Sequence, residues 1–338
     1  MNYVPLGRTG LTVSQLGFGT WRFGRKSSGV IETGREEAHE LLDAAWEQGI
    51  NFIDTANLYG DRNGTAEEYI GDWLSEYDRE NFVIASKVCY PFNGRGDPGP
   101  NDSGLGRKHV RAQIEGTLDR LGTDYLDLYY IHRWDETTPI LETLCTLEDL
   151  IREGYVHHVG ASTMTAWKLT KALWQSDVHG LERFEVAQPP FDATYANMER
   201  YEDFDLQPYL DVCADQQLAV CPYSPLAGGL LTGKYSRDGD WPEGSRAALA
   251  TDDFNRKYIS GTAWSVHDAI CDVANEIDAR PAQVALRWLI QRDGFETVVP
   301  IIGARTKAQL EENAGASEIK LSDRQRSQIT DARVSDEE

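Results

Sequence analysis

The chain has 338 residues and a formal net charge of −22, with 33 Lys and Arg against 55 Asp and Glu. A field of that sign repels nucleic-acid phosphates and anionic membrane surfaces, which excludes both as partners. Nine lysines accompany 24 arginines, and this imbalance with abundant carboxylates fits a halophilic, salt-rich setting, where a Debye length of about 3 Å at 1 M screens the self-repulsion.

Along the chain, short apolar runs alternate with amphipathic stretches. The opening 2–13 contains Leu6-Gly7-Arg8-Thr9-Gly10-Leu11, a turn-rich stretch that reads as a hairpin plugging a barrel floor. Strands are predicted over 15–19, 51–54, 82–87, 126–132, 158–162, 185–188, 218–223 and 297–302. Helices are predicted over 35–48, 67–77, 107–120, 139–152, 165–178, 204–216 and 306–316. A further helical stretch over 262–277 leads to another that opens with Pro281, a good first-turn residue. These alternations predict an α/β protein with one domain over 1–338, a (β/α)8 TIM barrel with an N-terminal β-hairpin and extra helices. Active sites in such barrels lie at the C-terminal ends of the strands.

Four residues capable of proton-coupled hydride chemistry stand at that end. Asp54 ends Phe52-Ile53, Tyr59 follows on a Gly-flanked turn, Lys87 ends Phe82 to Ser86, and His132 ends Leu126 to Ile131. Hydride reduction of a carbonyl leaves an alkoxide that needs a proton, and a phenol with a pKa of about 10 gives one poorly unless perturbed. An ammonium beside it lowers that pKa, which gives Lys87 a role next to Tyr59. Asp54 holds Lys87 charged and oriented, and His132 donates a hydrogen bond to the carbonyl oxygen. Taken singly, each has a duller reading as a cap, a packing residue or a solvated charge, so the weight lies in their joint placement.

The chain resembles the aldo-keto reductase family from Gly17 to Asn313. FIDTANLYG with Gly64, Ala66 and Glu67 looks like that family's Asp and Tyr motif, ASKV carries its Lys, and DLYYIHRWD its His. The resemblance implies that Asp54, Tyr59, Lys87 and His132 are a catalytic tetrad, with Tyr59 the general acid in reduction and the base in oxidation. It implies NADP(H), with NAD(H) as a second cofactor, bound across the barrel mouth without a Rossmann fold. The glycines of GFGTWRFG are indeed at the wrong spacing for that fold's fingerprint.

By the same resemblance, Gly19, Thr20 and Trp21 follow the first strand in the cofactor site. Ser162 and Gln188 hold the carboxamide, and Tyr223 stacks on the nicotinamide. Ser224, Pro225, Leu226, Gly228 and Lys234 in SPLAGGLLTGKY wrap the pyrophosphate. Gly228 to Lys234 also spells GxxxxGK, but Tyr235 stands where a phosphate loop needs Ser or Thr for magnesium. In PIIGARTKAQLEEN, Gly303 and Arg305 meet the 2′-phosphate at a helix start, and Gln309, Glu312 and Asn313 line the adenine. Phe191-Asp192, Thr163-Met164 and Gly303 depart from the residues common in relatives, which leaves use of both dinucleotides open.

The substrate implied is a small carbonyl or alcohol, a sugar among the options. Trp21, Tyr90, Trp134 and the connection over 236–261 are candidates for a pocket wall, and the Gly- and Pro-rich loop over 90–106 is a candidate for specificity. The resemblance also implies an alternative, because some relatives are cofactor-sensing regulatory subunits of membrane channels with little turnover. Cys89, Cys145, Cys213, Cys221 and Cys271 form no CxxC pair and read as reduced thiols without metal. With no basic-then-apolar leader and no apolar run as long as a membrane span, a cytoplasmic location is expected. No pattern in the sequence fixes an oligomeric state.

Overall fold

Period-two alternation along each short strand, repeated around a ring, decides what this barrel holds inside. The computed structural model describes residues 1–27, 30–92, 98–195, 205–239, 241–259 and 262–333. Phe204, expected as the start of a helix, and parts of the 90–106 and 236–261 connections lie outside the described residues.

In chain order the elements are β1 (Tyr3–Pro5), β2 (Thr12–Ser14), β3 (Gly17–Gly19), β4 (Lys26–Ser27), β5 (Val30–Ile31), α1 (Arg35–Glu47), β6 (Phe52–Asp54), α2 (Thr65–Leu74) and β7 (Val83–Val88). There follow α3 (Arg107–Leu121), β8 (Leu126–Ile131), α4 (Ile140–Arg152), β9 (Val156–Ser162), α5 (Ala166–His179), β10 (Val186–Gln188), α6 (Leu206–Asp215) and β11 (Ala219–Val220). The last are α7 (Arg246–Leu249), α8 (Thr251–Tyr258), α9 (Ala263–Glu276), α10 (Pro281–Ile290), β12 (Ile301–Ile302), α11 (Lys307–Ala314) and α12 (Asp323–Asp331).

One eight-stranded sheet runs β11-β10-β9-β8-β7-β6-β3-β12, and every pairing within it is parallel. The two edges meet. Val220 N donates to Thr297 O at 2.9 Å, Val299 N to Val220 O at 2.8 Å, and Ile301 N to Pro222 O at 2.8 Å, which curls the sheet into a ring. This is the expected (β/α)8 architecture.

Register explains the interior. Phe52, Val83, Ala85, Leu128, Tyr130, Val186, Ala219, Cys221, Val299 and Ile301 form one buried cluster inside the ring. Stepping two residues from Phe52, Ala85, Tyr130, Val186 and Cys221 reaches Asp54, Lys87, His132, Gln188 and Tyr223. The apolar layers thus sit below and a polar layer sits at the mouth. The outward files, such as Ile53, Ile84 and Tyr129, join the larger cluster under the helices. On the inward file of β9, a Cβ on Gly160 would come 2.6 Å from Tyr130 Cδ1, so glycine there makes room for the ring.

The β1–β2 hairpin plugs the floor as expected. Leu6 and Val13 are fully buried in the interior cluster, and Thr297 Oγ1 donates to Pro5 O at 2.7 Å. Three features were not anticipated: the small β4–β5 hairpin, the helices α7 and α8 inside the connection expected at 236–261, and α12. The α12 stretch, DRQRSQITD, is almost wholly polar and buries only Gln325 and Ile329, so its hydrophobic periodicity is faint. It is held by side chains, including Trp288 Nε1 to Thr330 Oγ1 at 3.2 Å and Arg326 Nη1 to Gln291 O at 2.8 Å.

Candidate active site

At the mouth of the ring, β6 and β7 place Asp54 beside Lys87 in register, Asp54 opposite Ala85 with Lys87 two residues on. Lys87 is fully buried and Asp54 is 3% exposed. Lys87 Nζ donates to Asp54 Oδ1 at 2.5 Å, to Thr55 O at 2.7 Å and to Tyr59 OH at 3.4 Å. The other carboxylate oxygen, Oδ2, accepts from Gln188 Nε2 at 2.8 Å, and Ser162 Oγ donates to Gln188 O at 2.9 Å. Three strands therefore lock the ammonium through one carboxylate. Burial is the largest single influence on Lys87 and would lower its pKa, but the Asp54 charge, the Tyr59 oxygen and the hydrogen bonds to both together outweigh it, and the ammonium is held above its ordinary value.

The phenol behaves otherwise than the sequence suggested. Burial raises the pKa of Tyr59, and the Lys87 charge opposes that rise without overcoming it, so the phenol stays protonated beyond its ordinary value. His132 is fixed by its backbone N–H, which donates to Val88 O at 2.8 Å. Burial, then the charges of Lys87 and Arg133, push its pKa well below the usual imidazole value, so the ring is neutral. Its Nδ1 makes no hydrogen bond among the described residues. The ring lies edge-on to Tyr59 at 6.0 Å and to Tyr90 at 5.0 Å between centroids.

Two loops carry Tyr59 and Tyr90, and one side chain ties them together. Gln113 on α3 accepts from Asn57 Nδ2 at 2.8 Å and donates from Nε2 to Phe92 O at 2.9 Å, with both side chains buried. A protonated phenol next to a locked ammonium, facing a neutral imidazole, can pass a proton to an oxygen held between them.

These groups open into a cavity of about 410 Å3. Asp54, Tyr59 and His132 line it, while Lys87 lies behind them. Gly19, Thr20, Trp21, Ser162, Gln188 and Tyr223 line the same cavity, as do Ser224, Pro225, Leu226, Gly228, Lys234, Gly303, Arg305 and Gln309. Thr163 Oγ1 donates to Tyr223 OH at 3.4 Å. Gly228 and Gly229 take φ of 65° and 100°, which lets the chain turn sharply over Tyr258; a Cβ on Gly228 would come 2.5 Å from that ring. Glu312 and Asn313 do not line the cavity. They lie farther along α11, Glu312 exposed and Asn313 buried. Trp134 is also absent from the lining and packs instead on Trp167 at 6.2 Å, whereas Trp21 and Tyr90 do line it.

Arg22 lines the cavity and was not anticipated; Arg246 and Tyr258 line it from the 236–261 connection expected as a pocket wall, although neither residue was singled out there. With Lys234 and Arg305 the two arginines make a cationic end. Arg25 and Arg246 lie 3.7 Å and 5.5 Å from the Trp21 ring centroid, and Arg305 Nη1 donates to Gly244 O. Burial, reinforced by the charges of Arg305 and Arg22, lowers the Lys234 pKa. Arg246 begins α7, whose cap Ser245 accepts from Ala248 N at 3.3 Å. A Ser followed by an Arg in a chain this acidic was the available signal, but nothing in the spacing joined it to strands more than a hundred residues away.

Comparison with known proteins supports the same reading. The aldo/keto reductase family model matches residues 15–333. An uncharacterized oxidoreductase, YrpG, of Bacillus subtilis is 35% identical over 95% of this chain and 92% of its own length. A probable voltage-gated potassium channel subunit beta of Arabidopsis thaliana is 33% identical over 94% of this chain and 92% of its own. Norsolorinic acid reductase B of Aspergillus parasiticus is 33% identical over 95% of this chain and 81% of its own. With its barrel, the polar layer at the mouth and a match across nearly its whole length, this chain belongs to the aldo/keto reductase family.

Proposed function

We propose that this protein reduces an aldehyde or ketone to an alcohol with NADPH, and oxidises the alcohol in reverse. The observation that carries the reading is the convergence of Tyr59, Lys87, Asp54 and His132 at one cavity wall. Members of this family generally use a nicotinamide dinucleotide, which when bound supplies a hydride to the carbonyl carbon. The chain manages the proton. Tyr59 donates from its hydroxyl to the carbonyl oxygen, and the phenolate left behind is stabilised by the Lys87 ammonium. Asp54 and Thr55 O keep that ammonium charged and aimed. Neutral His132 donates a ring N–H to the same oxygen and orients it. In oxidation the phenolate takes the proton back.

The cavity residues fit the cofactor. Ser162 and Gln188 are assigned to the carboxamide and Tyr223 to stacking on the ring, beside Gly19, Thr20 and Trp21. Ser224, Pro225, Leu226, Gly228 and Lys234 are assigned to the pyrophosphate. Gly303, Arg305 and Gln309, with Glu312 and Asn313 beyond them, are assigned to the adenosine phosphate end. Four cations at one end of a cavity in a chain of net charge −22 favour the more highly charged NADPH over NADH. The substrate is a small carbonyl compound, and molar salt is the expected working medium.

A second reading rests on the channel beta subunits among the relatives: the protein senses the cofactor and turns over little. Absorbance of the reduced nicotinamide, followed in molar salt with sugars, aldehydes and ketones, separates the two. The enzyme reading expects turnover that prefers NADPH and falls about 10²- to 10⁴-fold in Tyr59→Phe. Tight cofactor binding with no turnover on any substrate favours sensing, and absence of binding rejects both.

A further inference from the structure

Among the described residues, one carboxylate pairs with a cation of the outer end, and it comes from an element with no part in the chemistry above. Glu32 follows the β4–β5 hairpin, where Glu32 N donates to Arg25 O at 2.8 Å and Gly24 N to Thr33 O at 2.9 Å, so its backbone is fixed. Its carboxylate pairs with Arg22 Nη2 and, at 2.9 Å, with Arg25 Nη1. The Arg22 and Glu32 side chains are only 17% and 11% exposed. Arg22 lines the cavity, and its field is shared with Arg25, Arg246 and Arg305. An arginine so enclosed among like charges needs an anion.

We infer that Glu32 is an internal counter-ion standing in for a ligand phosphate at Arg22, and that it is a specificity-determining residue that weakens phosphate-rich dinucleotides. The inference rests on the cofactor reading given above. When the phosphate arrives, Arg22 accepts a second anion and Glu32 repels it, so the affinity reached is the difference between the two. The repulsion grows with ligand charge, and Glu32 therefore narrows the gap between NADPH and NADH. In molar salt the exposed part of that repulsion is screened, whereas the enclosed pair persists.

The test titrates NADPH and NADH into the full chain by fluorescence quenching, at low and at molar salt, for wild type, Glu32→Gln and Glu32→Asp. Glu32→Gln is expected to bind NADPH about fivefold tighter at low salt, NADH by less, and with a steeper salt dependence. Glu32→Asp, which keeps the charge, stays near wild type. If wild type binds neither dinucleotide, the cofactor reading fails. If wild type binds and folded Glu32→Gln shows unchanged or weaker NADPH affinity, Glu32 is a scaffold residue and the inference is overturned. Should Glu32→Gln fold poorly, the same titration with Arg22→Gln decides: the inference expects weaker NADPH binding and a smaller NADPH-to-NADH ratio, and an unchanged ratio overturns it.

Discussion

The two ends of the cavity are built on opposite principles. At the inner end, Asp54 and Lys87 are almost wholly buried, in register on neighbouring strands, and each is held by several short hydrogen bonds. At the outer end, Arg22, Lys234 and Arg305 come from separate loops and Arg246 from the start of α7, and the Glu32 carboxylate pairs with Arg22. The inner end is fixed by geometry and the outer end by charge. A proton donor must sit within hydrogen-bond reach of a reacting atom, while a phosphate is held by the sum of a field. Substitutions at the two ends should accordingly fail in different ways.

The largest effect is expected at the inner end. Lys87→Met strands the Asp54 charge in the interior, which should cost about 3–5 kcal/mol of stability as well as turnover. Denaturant midpoints with linear extrapolation measure the first. Adding Asp54→Asn should restore most of the stability and none of the activity; if the single variant is as stable as wild type, the buried pair is not the anchor described here.

Arg246→Gln at the outer end should leave stability and maximal turnover nearly intact and weaken NADPH about tenfold, or about 1.4 kcal/mol. The loss should shrink as salt rises, and a salt-independent loss would point to packing on Trp21 rather than charge.

Between the ends, Gln113→Met leaves the Asn57 amide and the Phe92 carbonyl without a partner, at about 1–3 kcal/mol. It should lower turnover more than cofactor affinity, because the bridge joins the loops of Tyr59 and Tyr90. Equal losses in both would break that link.

The smallest effect is on pH dependence. With His132 held neutral well below its ordinary range, its titration should leave no inflection in the reduction rate between about pH 6 and 8. Reduction requires the protonated phenol, whose pKa lies above its ordinary value, so the rate should fall only on the alkaline side of about pH 10. A limb near neutrality would mean that a group other than Tyr59 supplies the proton.

The inner end was legible in the sequence because strands advertise themselves locally. Asp54, Lys87 and His132 each terminate an apolar run, and parallel pairing brings such termini together. For the phenol, the lowering influence of Lys87 was legible but the net pKa was not, for a physical reason: a sequence shows the ammonium nearby but not the depth of burial that outweighs it. The outer end was half legible. Arg305 was visible beside a helix start, whereas Arg22 and Arg246 meet only through the fold. Glu312 and Asn313 lie one turn beyond Gln309 along α11, past the cavity that Gln309 reaches.

The ring also bears on how the chain reaches its native state. Its seam joins β3 to β12, with Phe18 paired to Ile302, and the floor hairpin is tied to Thr297. Contacts between such remote parts of the sequence require closure of a very long loop before they return any stabilisation, so they form late. Asp54 on β6 adjoins β3, one strand from that seam. Folding intermediates with the seam open would leave the edge of β3 unpaired, exposing a strand edge able to associate with other chains.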